Sequence, residues 1–309
     1  VVISKKVKRR TLIKLLHNIL RDTMKVHLDC VPCFLEQALQ AARFVTDDET
    51  KQEKAVRTTL QILEKCDYRK TPPEISHAVH FTLMDVLKVD DPYKKVKENN
   101  NLMVLDMYGQ LKKDVETSDN PVDTVIRLAI AGNIMDYGAR LNFDLSETID
   151  TVKRVIFAID DTKKLRENLK KGKTIAYLTD NAGEIVFDRL FMETVNNVYG
   201  KKEWHAYVKG RPILNDATIK DAEQVGLTSM ETVHVLELPI GKEYDSRADP
   251  EYLKEFNEND LIISKGQGNY EALSSVANSK FYFMLMVKCP IVADDVGADI
   301  GDIIVKNPE

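Results

Sequence analysis

From about residue 30 to about residue 170, apolar side chains recur at the spacing of a helix face. The segment 33–45 puts Phe34, Leu35, Ala38, Leu39, Ala42 and Val45 on one side, and 49–66 does the same with Val56, Leu60 and Leu63. The segment 72–89 opens with proline near its first turn, where a missing N–H is tolerated. The segment 120–138 is apolar over most of its surface, which predicts a buried helix. The segment 146–159 begins at Ser146, a favoured N-cap type.

After "NLKKGK" the period changes. Short apolar runs at 174–180, 204–210, 232–239, 260–266, 281–288 and 302–307 alternate with helical stretches such as 185–200 and 250–257. Strand and helix in alternation predict a parallel sheet covered by helices. The expected fold class is α/β, with an all-helical domain over residues 1–170 and a doubly wound domain with a mainly parallel sheet over 171–309. "KKGK" reads as a turn rather than a linker, so the halves pack together.

The first 23 residues read as a basic amphipathic helix, an extension ahead of Met24. His17 and Asn18 interrupt its apolar patch and no small-residue cleavage site follows, unlike a signal peptide. No apolar run reaches the roughly 18 residues of a membrane span, so no membrane partner is expected and the expected location is cytoplasmic. A net charge of −5 and a pI near 5.8 argue against a nucleic-acid partner. The apolar content of 43% is enough for a core, and the oligomeric state stays open.

In doubly wound sheets, ligands bind beyond the carboxyl ends of the strands. Asp180 and Asn181 follow the first expected strand. Lys209, Arg211, Asn215 and Asp216 follow the second, and Ser264-Lys265 leads into "GQGN". Asp180, Asn181 and Asp216 offer hard oxygen donors without sulfur or imidazole, which suits Mg²⁺ or Mn²⁺. Lys265 can neutralise a phosphate oxygen, and Gly266, Gly268 and Asn269 precede a helix whose N–H groups could cradle the same phosphate. Neither a Walker motif nor a G-x-G-x-x-G after the first strand is present, against an ATPase or ordinary dinucleotide binding. Asn133 and Asp136 lie at i, i+3 on the otherwise apolar segment 120–138. They read either as a buried pair capping a neighbouring element or as the opposite wall of the crevice.

Four cysteines, Cys30, Cys33, Cys66 and Cys289, are too few for a disulfide scaffold. Only "CVPC" pairs two of them. Three readings stay open for it: half of a zinc site assisted by His27 and Cys66, a disulfide, or two buried thiols. Cys289, within an apolar strand, reads as core.

"DNAGEIVFD", "KGRPILNDAT", "SKGQGNYEAL" and "AGNIMDYG", with the N-terminal "CVPC", resemble the metal-dependent damage-control phosphatases, formerly domain of unknown function 89. The resemblance covers about Met24 to Glu309 in the family's motif order, and the C-x-x-C resembles the prokaryotic branch. It implies a helical domain fused to an α/β/α Rossmann-like domain. It also implies a divalent ion (Mg, Mn, Co or Ni) on Asp180, Asn181 and Asp216, with Lys265 at the phosphate. Glu184, Asn133 and Asp136 are implied as pocket residues, and the expected substrates are small phosphorylated metabolites such as sugar phosphates or phosphopantetheine-like compounds.

The expected reaction is phosphomonoester hydrolysis, with Lys265 and the loop amides stabilising the phosphate and Arg211 beside them. The nucleophile is either metal-bound water or the Asp180 carboxylate. Glu184 either orients and deprotonates water or complements the positive end of its helix. Two other functions compete: a non-catalytic sensor of a phosphorylated metabolite, and a carboxyl methyltransferase.

Overall fold

The computed structural model describes residues 24–138, 156–240 and 250–308. Helices α1 (Cys30–Val45), α2 (Glu49–Lys65) and α3 (Pro72–Leu87) form a bundle around Phe34, Ala38, Ala42, Ala55, Ile75, Val79 and Leu83. Their starts are set locally. The Asp48 carboxylate accepts from Thr50 N–H at 2.9 Å. Thr71 and Glu74 form a capping box, with Thr71 N–H donating to Glu74 Oε2 at 2.8 Å and Pro72 filling the first turn.

Helices α4 (Lys94–Glu116) and α5 (Pro121–Gly138) behave differently. Both pack on α7 (Glu184–Tyr199) and cover one face of the sheet. The sheet has seven strands: β1 (Ile159–Asp160), β2 (Thr174–Leu178), β3 (Glu203–Lys209), β4 (Val233–Leu238), β5 (Leu261–Lys265), β6 (Phe281–Met286) and β7 (Ile303–Lys306). Their order is β1-β7-β6-β5-β2-β3-β4, parallel throughout except for the antiparallel β6–β7 pair. Helix α6 (Thr162–Lys171) joins β1 to β2.

Successive residues serve opposite faces. Ile175, Tyr177 and Ile263 point to the α4–α5–α7 side, whereas Ala176, Leu178 and Ile262 point to the other. That second side is covered by α9 (Pro250–Asn257), α10 (Gln267–Leu273) and α11 (Pro290–Val296), with Phe256, Tyr270 and Val292 in its core. Both faces being dry around β2, β5 and β6, these strands read as near-continuous apolar runs. Helix α8 (Ile219–Gln224) follows β3.

All six expected strands form. The division at residue 170 does not coincide with an edge of the sheet unit, because Ile159–Asp160 pairs with β7 and α4 and α5 belong to the sheet's core. Helical periodicity shows that a face is apolar, not what it packs on, and a two-residue strand has no readable period. The expected helix 146–159 falls mostly outside the described residues, as do Ser146 and residues 1–23. Its last residues, Ile156 to Ile159, are not helical and lead into β1. Among the described residues no helix is long and apolar enough to cross a membrane.

Candidate active site

The strand order reverses around β2: β3 and β4 lie on one side, β5 and β6 on the other. The crevice of such a sheet opens between the carboxyl ends of β2 and β5. Thr179, Asp180 and Asn181 follow β2 there, and Lys265 and Gly266 end β5.

Backbone pairing brings the third expected donor to the first two. Asn181 and Asp216 form an antiparallel bridge. Ala182 N–H donates to Asn215 O at 2.9 Å, and Ala217 N–H donates to Asp180 O at 2.8 Å. A tight turn precedes the bridge, closed by Asp216 N–H to Ile213 O at 3.0 Å. Leu214, inside it, has φ of 46° and packs against both the α1–α3 core and the Phe81–Met84–Ile213–Ile240 cluster. That left-handed leucine is costly on its own, and the helical bundle holds it two residues from Asp216.

Asp180 lies on Gly266. That glycine has φ of 79°, and a Cβ there would overlap the Asp180 carboxylate. Asn181 Nδ2 donates to Asp180 Oδ2 at 2.9 Å, fixing the two side chains together. Gly266 N–H donates to Met284 O within the sheet, so it does not serve the phosphate cradle expected of it. A Cβ at Gly268 would meet nothing within 4 Å. Gly266→Ala should therefore weaken divalent-metal binding more than tenfold and cost about 1–3 kcal/mol of stability, whereas Gly268→Ala should leave both nearly unchanged. Calorimetry and thermal unfolding of the two variants check this, and equal effects would refute it.

Lys265 is not at the crevice surface. Its side chain has no exposure, and its Nζ lies 2.5 Å from Glu184 Oε1 and 2.9 Å from Asp188 Oδ1. Asp188 Oδ1 also accepts from Tyr177 OH at 2.6 Å. In place of the expected contact with phosphate, Lys265 makes a buried triad with Glu184 and Asp188 of α7. Burial alone would pull the Lys265 pKa down, but Asp188 and Glu184 together outweigh it and raise it. Burial pushes Glu184 up to about 7, with Lys265 opposing. Glu184 is therefore a partner of Lys265, and it also accepts from Asn181 Nδ2 at 3.5 Å.

This makes stability depend on pH. Between the ordinary carboxyl value of 4.5 and about 7, the folded state holds the Glu184 proton better than the unfolded chain does. Glu184 should make the protein less stable as pH rises through that window. Urea midpoints across it should fall in the wild type and flatten in Glu184→Gln; parallel curves would contradict this.

The cation near the donors is Lys209, at the end of β3. Its Nζ lies 3.7 Å from Asp216 Oδ2 and donates to Asn269 Oδ1 at 2.9 Å. Asn269 also donates to Thr179 O and Lys265 O, so its side chain ties β2 to β5. Arg211 is exposed and stacks on the Phe81 ring of α3, 4.1 Å from its centroid. His77, one turn earlier on α3, feels the Lys209 charge, but burial is the larger cause that pulls its pKa down to about 3. Asn133 and Asp136 lie in the last turns of α5, and their side chains fall outside the described residues.

Asn101 and Asp188 escaped sequence reasoning as site residues. Asn101 Oδ1 accepts from Gly183 N–H at 2.6 Å, and its Nδ2 donates to Asp221 Oδ1 at 3.0 Å. Lys97 beside it pairs with Asp91 and Asp221, each at 3.1 Å, in a nearly dry environment. The "NNN" run around Asn101 carries no signal. Asp188 did carry one: an acid one turn after Glu184, set between the apolar residues Phe187 and Leu190 of the first two turns, needs a buried cation.

A doubly wound α/β protein with polar side chains gathered at its switch point belongs to the class of such folds that bind ligands beyond the carboxyl ends of their strands. More narrowly, the chain belongs to the damage-control phosphatase ARMT1-like domain family, whose model matches residues 26–304. It is 37% identical to a protein of Archaeoglobus fulgidus named damage-control phosphatase, over 92% of this chain and 99% of that one. It is 33% identical to an uncharacterized protein of Methanocaldococcus jannaschii, over 91% of this chain and 95% of the other. The crystal structure of a DUF89 family protein from Pyrococcus horikoshii superposes with a TM-score of 0.82 at 28% identity, covering 93% of this chain and all of that one.

Proposed function

We propose that this chain is a metal-dependent phosphatase acting on small phosphorylated metabolites, such as sugar phosphates or phosphopantetheine-like compounds, in a damage-control role. The bridge between Asn181 and Asp216 carries the reading, because it joins two oxygen donors from separate loops beside Asp180. The residues fit a hard divalent cation. All three donors are oxygens, and a glycine at 266 makes the space that the Asp180 carboxylate fills. Asp180, Asn181 and Asp216 would hold Mg²⁺, Mn²⁺, Co²⁺ or Ni²⁺. Such an ion supplies polarisation of a phosphate oxygen.

The chain's own groups do the rest. Lys209, rather than Lys265, places positive charge beside Asp216 for the phosphate. Lys265 neutralises Glu184 and Asp188 beneath the donors, which holds α7 against β5. Arg211, braced on Phe81, offers its exposed guanidinium to the substrate's outer part. Attack comes from water or from the Asp180 carboxylate, and heavy-oxygen label from solvent appearing in Asp180 would mark the second route.

The test is phosphate release from p-nitrophenyl phosphate and a panel of phosphometabolites, with each metal in turn. Release that requires metal and disappears in Asp180→Asn supports the reading. Binding of phosphometabolites without release would overturn it in favour of a sensor.

A further inference from the structure

The crevice donors stand on two short segments, and one side chain of α4 is bonded toward both. Asn101 is fully buried. Its Oδ1 accepts from Gly183 N–H at 2.6 Å, two residues after Asn181. Its Nδ2 donates to Asp221 Oδ1 at 3.0 Å and to Gln224 Oε1 at 2.8 Å, both on α8. Asp221 Oδ2 in turn accepts from Thr218 N–H at 2.8 Å and from the Thr218 hydroxyl at 2.7 Å, two residues after Asp216. The partners set the orientation of the amide. Its oxygen faces an N–H and its nitrogen faces two acceptor oxygens, so a flipped amide would lose all three bonds.

We propose that Asn101 is a positioning residue for the crevice cation, setting the spacing between the turn that carries Asp180 and Asn181 and the segment that carries Asp216. This role presupposes the divalent cation proposed for those three donors. Backbone bonds join the two segments on the inside, from Ala182 N–H to Asn215 O and from Ala217 N–H to Asp180 O. They make a ribbon of two bonds, and Asn101 closes its outer end. Helix α4 lies directly on the turn there. Gly183 has φ of 80°, and a Cβ on it would stand 3.1 Å from Asn100 Cβ and 3.4 Å from Asn100 O.

The amide is chemically specific to this place. It supplies one acceptor to the turn and two donors to α8. Aspartate would keep the acceptor but set a second carboxylate against Asp221, and leucine would keep the volume with neither. Lys97, one turn earlier on α4, pairs with Asp221 at 3.1 Å, so the carboxylate that receives Asn101 is held from the same helix. Asn101 touches none of the three donors. It acts through Gly183 on one side and through Asp221 and Thr218 on the other, as outer-shell groups act on a metal site.

Asn101→Leu and Gln224→Met are compared with wild type by calorimetric titration of Mn²⁺, below the melting midpoint of each. Gln224→Met takes one bond from the same buried seam without touching Gly183. We expect Asn101→Leu to weaken Mn²⁺ binding by about 10–100-fold, and Gln224→Met to melt lower yet bind Mn²⁺ as wild type does. A folded Asn101→Leu with wild-type affinity overturns the proposal. So does equal weakening in Gln224→Met, which would make the stability of the seam the cause. One measurement needs no variant to fold: on titration of the wild type with Mg²⁺, the side-chain amide resonance of Asn101 should shift with the same midpoint as the backbone amide of Asn181, and a resonance that stays in place overturns the proposal. Asp216→Ala judges the cation itself. Binding lost there but kept in Asn101→Leu removes the positioning role alone, whereas binding kept in Asp216→Ala removes the cation from the crevice and this role with it.

Discussion

Asp216→Ala should abolish divalent-metal binding in the crevice and cut phosphate release by about 10³-fold, the several kcal/mol that a metal's charge contributes to such a transition state. The chain should stay folded. The backbone bonds of Asp216, in the bridge to Asn181 and the turn from Ile213, survive loss of the carboxylate, which gives up its pairing with Lys209. Its side chain is still 19% exposed, so little buried surface is lost. Calorimetric titration of Mn²⁺ and a thermal melt separate the effects. Unchanged metal affinity in a folded variant would show that the ion is held elsewhere.

Lys265→Met should act on stability instead. It removes the cation from two fully buried carboxylates, Glu184 and Asp188, a loss of about 3–5 kcal/mol. The Lys265 pKa is raised in the folded state, so its contribution is present throughout neutral pH and fades only when strongly alkaline solution deprotonates it. The variant has an acid escape, because Glu184 and Asp188 can take up protons. Its deficit should therefore be small near pH 4.5 and grow as pH rises past 7. Unfolding in urea at both ends of that range measures it. A variant as stable as wild type, but with phosphate affinity down by orders of magnitude, would return Lys265 to the substrate.

The strands were legible because both faces of the sheet are dry. "TIAYL" and "LIISK" contain no polar residue that a solvent-facing position would need until their ends, and the ends are where Asp180 and Lys265 stand. The alternation also located the crevice. What could not be read was pairing at a distance. Nothing near Lys265 in sequence announces α7 as its partner. The role of α4 was hidden for a related reason. Its polar contacts, to α8 and to the turn before α7, run through Lys97 and Asn101, residues that a helical period assigns to solvent.

Those two residues decide how the crevice can open. Swinging α4 away would strip Asp221 of Lys97 and Asn101 together and leave Gly183 N–H without its acceptor. That seam is held fast, because taking the cation from a buried carboxylate costs several kcal/mol, even with Thr218 N–H and OH still donating to it. The opposite seam is made of Arg211 lying on Phe81 and of apolar side chains around Leu214, contacts that can slide with little loss. If the crevice holds a phosphometabolite, as proposed, the α1–α3 side is the one from which it would enter.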